Sequence, residues 1–341
     1  MNRQRYLLPA LLTLTVARFL MVSLRNLSPV DQELLRQVAE PLAWSVPHGI
    51  ITPLLVKAST GMFGVGAFGV SFFAPLLILL SCWLLWELVK GMFDATTASW
   101  ALVFYNFLPA VNLAATNLTA TTTGLLASIA VLSTLRFALH HEYRLYLQWW
   151  LHGAVLLLAF FIDWRLAMLG VASTSALLFT GKGRRTLGKW PVLTIHVLCL
   201  GIACGLFFMW GKSHAWEVFA KASPSDMIVR PSLYEHLLHT GSPFMVLALV
   251  WGLLRSLLHK PVTYTLALLF AFWVPLLILD GLTWKSQPWP ASGFAAWIPS
   301  ATILLTHQFM TLENNRPRLK AWIRFLVLGT GAAHSLWLMH S

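Results

Sequence analysis

The sequence predicts an all-helical protein that crosses a membrane about eleven times. Hydrophobic residues make up 57% of its 341 positions, whereas charged residues make up only 11%. The charged residues gather in short groups between apolar runs of roughly 16 to 22 residues, which is the length that a helix needs to cross a bilayer. This composition excludes a soluble globular protein.

The apolar runs set the boundaries of the predicted spans. The first run has no small-residue cleavage site after it, so we expect it to be retained as a span and not removed as a signal peptide. The three cysteines lie inside apolar runs without metal-ligand spacing, so we expect them to serve packing. The predicted spans are 6–24, 66–88, 96–112, 118–138, 147–162, 164–180, 191–210, 243–258, 262–280, 294–311 and 321–339.

The distribution of basic residues predicts which face of the membrane each loop occupies. With the N-terminus in the cytoplasm, fifteen Lys and Arg residues lie inside and eight outside, whereas four acidic residues lie inside and eight outside. An excess of Lys and Arg in cytoplasmic loops is the usual asymmetry of membrane proteins. The net charge of +12 is therefore explained by topology and by contacts with anionic lipid headgroups, and nothing supports nucleic-acid binding.

Three longer polar segments fall on the outer face in this topology, and the first contains two predicted helices. Pro29 stands near the start of one, and apolar residues spaced as on one face of a helix follow from Val30 to Trp44. Pro47 interrupts this helix, and a second apolar piece follows from Ile50 to Phe63. We expect the two pieces to form a cap on the membrane surface. The outer segments are 25–65, 211–242 and 281–293.

Asp31 is the first candidate for chemistry. It lies in the predicted cap at the membrane surface, where a partly desolvated carboxylate is suited to act as a general base. The alternative interpretation is a helix-start carboxylate, because acidic residues favour the first turn of a helix and Leu34 and Leu35 follow. The spacing alone leaves both interpretations open.

Two more outer residues are suited to contact an anionic lipid. Lys285 lies between two spans beside Trp284 and Trp289, and a cation at this depth suits a lipid phosphate. An ordinary lysine with aromatic anchors gives the same pattern. His48 follows a proline near the membrane surface, where it would orient an anionic group, although a solvated loop histidine also fits.

Two other kinds of site have less support in the sequence. Glu235, His236 and His239 share one helical face, but no further strong ligand stands near them, so no metal site is predicted. A transporter would need charged or broken helices near the membrane midplane. Arg18 is the only basic residue that the predicted topology places inside a span.

The order of these features resembles that of the GT-C glycosyltransferases, and more closely that of the bacterial enzymes related to protein O-mannosyltransferases and to the lipid A aminoarabinose transferase. The resemblance extends over most of the chain. It rests on an acidic motif after the first span, a histidine motif that leads to a phenylalanine–glycine pair, a tryptophan-bracketed outer segment, and a late lysine with tryptophan–proline–alanine. These motifs are residues 29–33, 48–64, 210–219 and 285–291.

Several positions depart from the family pattern, and three of them bear on whether the chain is active. Gln32 stands where the family has the second member of an acidic pair, and Ser71 stands where it has an arginine. Leu118 takes the place of an acidic residue at the next outer turn. These departures keep a second interpretation open, in which the chain is a catalytically inactive relative that binds polyprenyl phosphate or a partner protein.

The resemblance implies one GT-C-like transmembrane domain over residues 1–341, in the bacterial inner membrane with its active face outside. It implies an inverting glycosyltransferase that moves a hexosyl or pentosyl group from a polyprenyl-phosphate carrier to a lipid, glycan or protein acceptor on the periplasmic side. No cofactor is assigned, and nothing in the sequence supports a divalent metal.

The same resemblance implies roles for five residues. Asp31 would be the catalytic base, and Lys285 would hold the phosphate of the departing lipid. Gln32 and His48 would position the sugar or the phosphate, and Trp289 would pack against the carrier.

Overall fold

The structure, a computed structural model, is helical in the part of the chain that it describes. That part comprises residues 4–39, 51–141, 143–162, 164–213, 263–283 and 296–311, with the single positions 321 and 329. No strand occurs within it, which confirms the predicted all-helical fold class. Its helices are α1 (Gln4–Leu24), α2 (Pro29–Ala39), α3 (Ile51–Phe63), α4 (Ala67–Ser71), α5 (Phe73–Met92), α6 (Ala95–Asn106), α7 (Pro109–Thr116), α8 (Ala120–His140), α9 (Leu147–Ile162), α10 (Met168–Phe179), α11 (Gly181–Leu187), α12 (Trp190–Ser213), α13 (Tyr264–Thr283) and α14 (Ile298–Thr311).

Several of these helices are apolar and long enough to cross a membrane. Two bent pairs, α6 with α7 and α11 with α12, each add a crossing if the pair makes one span. The predicted span 243–258 and nearly all of 321–339 lie outside the described residues, so the total of eleven stays a prediction. The four unbent stretches with sufficient length and hydropathy are Leu7–Leu24, Ala67–Met92, Thr121–His140 and Arg144–Ile162.

Two helices, α2 and α3, occupy the segment in which the sequence predicts the cap. Residues 40–50, which include the predicted proline break, lie outside the described part. Leu34 of α2 and Val56 of α3 are buried in a small apolar cluster with Val70, Ala74 and Leu118. Because these last three residues belong to α4, α5 and the turn after α7, the cluster fixes the cap on the ends of the spans.

A larger apolar core joins the remaining spans. Within it α10 packs along α13, α5 along α6, and α8 along α9. Trp149, Trp297 and Phe272 are among its largest buried side chains. This core provides the rigid base above which the cap is held.

The predicted span over 96–112 is not one straight helix, because the chain bends after Asn106. Helix α6 ends there, and α7 begins at Pro109 with its axis 71° away. Proline has no N–H to continue a helix and moves the preceding residue out of the helical region. Leu108 accordingly has an extended backbone, with φ −74° and ψ 131°.

Arg18 of α1 joins the two arms of this bend. Its buried guanidinium donates from Nη2 to Oδ1 of Asn106 at 2.9 Å and to Oδ1 of Asn112 at 3.2 Å. Asn106 is the last residue of α6, and Asn112 lies in α7. A cation inside a span is costly unless polar groups replace its water. The two side-chain amides supply that replacement and hold the bend in place.

Arg18→Ala should destabilise the protein, because two partly buried amide oxygens would lose a charged donor. We expect a loss of about 2 kcal/mol, the range of hydrogen bonds to charged groups, measured as a lower unfolding temperature of the purified protein in detergent. Val16→Ala is the matched control, because Val16 is exposed on the same helix and should change the unfolding temperature little. Equal unfolding temperatures for the two variants would contradict the joining role of Arg18.

Candidate active site

Asp31 is fully buried at the start of α2. Pro29 is the first helical residue, so Ser28 is the N-cap and Asp31 is the third residue of the helix. The two form a capping box, in which Asp31 N donates to Ser28 Oγ at 3.2 Å and Ser28 N donates to Asp31 Oδ2 at 2.8 Å. Ser28 Oγ also donates to Oδ2 at 2.8 Å. Asp31 is therefore a helix-start carboxylate.

Arg25 binds both oxygens of this carboxylate. Its Nη1 lies 2.5 Å from Oδ2, and its Nη2 lies 3.0 Å from Oδ1. The Asp31 side chain has 0% of its surface exposed, against 21% for Arg25. A buried carboxylate needs a paired cation, and the planar guanidinium matches its two oxygens. Because Arg25 follows α1 directly, the ion pair fixes the start of the cap to the end of the first span.

Ser71, the last residue of α4, completes the site. Its Oγ donates to Asp31 Oδ1 at 3.3 Å and accepts from Arg25 Nη2 at 2.7 Å and from Leu118 N at 3.4 Å. A serine hydroxyl has one hydrogen to donate and two lone pairs, so these three bonds use it completely. Two of the positions that depart from the family pattern, Ser71 and Leu118, therefore meet beside Asp31.

The Asp31 carboxylate is saturated with hydrogen bonds. Oδ2 accepts from Arg25 and twice from Ser28, while Oδ1 accepts from Arg25 and Ser71. A carboxylate has about four lone-pair sites, so a substrate hydroxyl can bind only if one donor leaves. The contact to Ser71 is the longest of the five, at 3.3 Å. The site therefore holds a rigid carboxylate with one weakly bound partner.

Arg25 was not among the residues predicted for the site. The sequence shows it as one of several basic residues on the outer face. Its position six residues before Asp31, where the chain leaves the first span, was the available signal. Spacing between a span and a following helix does not show whether two side chains meet, so only the structure reveals the pair.

The other residues predicted for the site are not seen at Asp31. Gln32 is the next residue of α2, but its side chain is exposed. His48, Lys285 and Trp289 lie outside the described residues, so their roles stay predictions.

No metal site is visible in the described part of the chain. Within that part, no three His, Cys, Asp or Glu side chains come together in a group that could hold a metal ion. The weak metal candidate of the sequence, Glu235 with His236 and His239, lies outside the described residues.

Known proteins similar to this chain share its architecture. Residues 47–210 match the family model for dolichyl-phosphate-mannose-protein mannosyltransferase. The crystal structure of ArnT from Cupriavidus metallidurans in the apo state has 12% identity and a TM-score of 0.67, over 95% of this chain and 62% of that one. The same protein bound to undecaprenyl phosphate has 14% identity and a TM-score of 0.61, over 93% and 62%.

A third similar structure is the oligosaccharyltransferase AglB from Archaeoglobus fulgidus, in complex with an inhibitory peptide and a dolichol-phosphate. It has 12% identity and a TM-score of 0.56, over 99% of this chain and 56% of that one. No individual curated protein matches the sequence. The chain spans about three fifths of the length of the ArnT structures, since it covers 62% of them.

At these identities the structures establish the fold, and the family match adds sequence evidence over the middle of the chain. The chain therefore has the fold of the GT-C membrane glycosyltransferases, and its residues 47–210 carry the sequence pattern of the dolichyl-phosphate-mannose-protein mannosyltransferases.

Proposed function

We propose that this protein is a membrane glycosyltransferase that transfers a sugar from a polyprenyl-phosphate carrier to an acceptor at the outer membrane surface. The observation that carries the proposal is the buried, paired carboxylate of Asp31 at the start of the cap, on a GT-C fold. The donor class is taken from relatives, because ArnT has been determined with undecaprenyl phosphate and AglB with a dolichol-phosphate. The acceptor would be a lipid, a glycan or a protein.

The proposed reaction is a displacement at the anomeric carbon of the donor sugar. The acceptor oxygen forms a bond to this carbon, the bond to the phosphate oxygen breaks, and the configuration inverts. Asp31 takes the proton of the acceptor hydroxyl, and the polyprenyl phosphate leaves with the bonding electrons. Lys285 stabilises the negative charge that develops on the leaving phosphate.

The remaining proposed roles concern binding. Gln32 and His48 position the sugar or the phosphate, and Trp289 packs against the carrier. The excess of basic residues on the other side of the membrane supports a cytoplasmic N-terminus and an outer active face, in a bacterial inner membrane.

The contacts of Asp31 suggest how an acceptor reaches it. An acceptor hydroxyl can donate to Oδ1 in place of Ser71 Oγ, whose contact of 3.3 Å is the longest at the carboxylate. Arg25 would meanwhile keep both carboxylate oxygens in place, since its two bonds measure 2.5 and 3.0 Å. Arg25 is in this scheme a positioning residue, because it acts through Asp31 and not on the substrate.

The saturation of Asp31 also favours a second candidate function. A carboxylate with five donors and no exposed surface is well suited to a purely structural role that ties α2 to the end of α1 and to α4. In that case the chain is a catalytically inactive GT-C relative that binds polyprenyl phosphate or a partner protein. The two functions differ in donor turnover, because only the glycosyltransferase releases the sugar from its lipid carrier.

Asp31→Asn should lower sugar transfer by roughly a hundredfold or more, because an amide cannot accept the proton of the acceptor. The measurement is release of labelled sugar from a panel of undecaprenyl-phosphate sugars, with purified protein and cell membranes that supply the acceptor. Ser71→Ala is the matched control, since it removes one hydrogen bond of the same carboxylate and leaves the base intact. It should keep transfer within a few-fold of the natural protein.

Unchanged transfer by the Asp31→Asn variant would remove the catalytic assignment. A natural protein that binds undecaprenyl phosphate but turns over no donor of the panel would support the inactive relative. If the natural protein shows no turnover and the Asp31→Asn variant has a reduced membrane yield, that result would also support the inactive relative.

Arg25→Ala should lower both stability and turnover. It leaves a buried carboxylate without its cation, and breaking a buried pair costs about 3 kcal/mol or more. For a positioning residue we expect kcat to fall while the KM for the donor changes little, and Arg25→Lys to recover part of kcat. Lys57→Ala, which removes an exposed cation of the same loop, should leave both quantities unchanged. A rise in donor KM with constant kcat would show that Arg25 binds the donor instead.

A further inference from the structure

Helix α11 carries a group of exposed cations that the proposed reaction does not use. Lys182, Arg184 and Arg185 are all exposed. Within the residues that the structure describes, the ion pairs are Arg25 with Asp31 and Lys90 with Glu87, so none involves these three side chains. Three positive charges within four residues are therefore available to a ligand.

Helix α11 lies at 89° to α12, a mostly apolar helix of 24 residues for which the sequence predicts a span over 191–210. A short helix perpendicular to a span lies parallel to the membrane. Its side chains are then at the depth of the lipid headgroups.

The local structure holds α11 in this orientation. Thr180 Oγ1 donates to the carbonyl of Ala176 at 2.7 Å and accepts from Gly183 N at 3.2 Å, which ties the end of α10 to the first turn of α11. Gly183 is buried, and a side chain there would collide with the backbone of Leu177. The glycine therefore lets the helix approach α10 closely on one side.

The cations occupy the opposite side of α11. With 3.6 residues per turn, successive residues are about 100° apart, so Lys182, Arg184 and Arg185 span an arc whose centre faces away from Gly183. The buried glycine thus directs all three charges outward together.

Two exposed aromatic residues flank the cations. Phe179 ends α10 with 77% of its surface exposed, and Trp190 begins α12 with 76% exposed. Aromatic side chains beside basic ones are typical of the boundary between headgroups and acyl chains. The exposed Trp190 therefore favours lipid headgroups as the contact of this surface.

We propose that α11 is a binding site for the headgroups of anionic phospholipids, formed by Lys182, Arg184 and Arg185 between the aromatic anchors Phe179 and Trp190. Charge complementarity selects an anionic over a zwitterionic headgroup, and the membrane-parallel helix presents all three cations to the same lipid leaflet. The predicted topology places this leaflet on the cytoplasmic side, away from Asp31. The site would fix the vertical position of α10 and α12 in the membrane.

The test compares lipid preference in nanodiscs. Full-length protein is placed in discs of mixed phosphatidylglycerol and phosphatidylcholine, extracted with detergent, and the retained lipids are counted by mass spectrometry. The variant K182Q/R184Q/R185Q should lose its preference for phosphatidylglycerol by roughly fivefold for each cation removed. The variant K57Q/R144Q/K212Q is the control, because it removes the same total charge from exposed positions elsewhere. It should keep the preference.

Two outcomes would overturn the proposal. One is an unchanged preference in the α11 variant, and the other is an equal loss in both triple variants, which would show a general effect of net charge. If the α11 variant does not fold, two other measurements are made. One uses the variant K182R/R184K/R185K, and the other uses the natural protein with added salt. The charge-retaining variant should keep the preference, and high salt should weaken it in the natural protein. The site would be contradicted if the charge-retaining variant loses the preference for phosphatidylglycerol. It would also be contradicted if high salt leaves this preference unchanged in the natural protein.

Discussion

The bidentate ion pair between Arg25 and Asp31 is the interaction on which the position of α2 depends. A carboxylate without exposed surface is stable only when a cation and hydrogen-bond donors replace its water, and here Arg25, Ser28 and Ser71 do so. These partners come from the end of α1, the cap of α2 and the end of α4. Satisfying one buried charge therefore brings three separate segments of the chain together.

Helix α1 contributes a buried cation, Arg18, that acts on the same part of the fold. Arg18 holds both arms of the bend between α6 and α7 through Asn106 and Asn112. Helix α7 then leads to Leu118, whose backbone N–H donates to Ser71 beside Arg25. The segment from Asn112 to Leu118 is thus held at one end by Arg18 and at the other by Ser71, which also contacts Arg25. A bend that suggests a transport pathway in other membrane proteins serves here to bring the turn after α7 to the carboxylate.

The same contacts make Asp31 suitable for catalysis and suitable for a structural role. Catalysis requires a rigid carboxylate from which one donor can leave, and the long contact to Ser71 meets that requirement. A structural role requires that all five donors stay. The catalytic and the structural role differ in whether the Ser71 hydroxyl can be displaced from the carboxylate. The energy needed to displace it is small compared with the cost of breaking the ion pair. The basic surface of α11 is independent of this choice, because it shares no residue with the site.

From the sequence we could predict the all-helical membrane class, the helices α2 and α3 in the first loop, and a helix start beside Asp31. These features follow from local signals, namely the length of apolar runs, their helical spacing and the positions of prolines. The tertiary structure decided which groups meet Asp31 and Arg18. Several of these partners lie far away in sequence, 40 residues for Ser71 with Asp31 and 94 for Asn112 with Arg18. The bend at Pro109 had a local cause, but the apolar length of 96–112 concealed it. Buried charges select their partners by proximity in the folded chain, and spacing along the sequence does not carry that information.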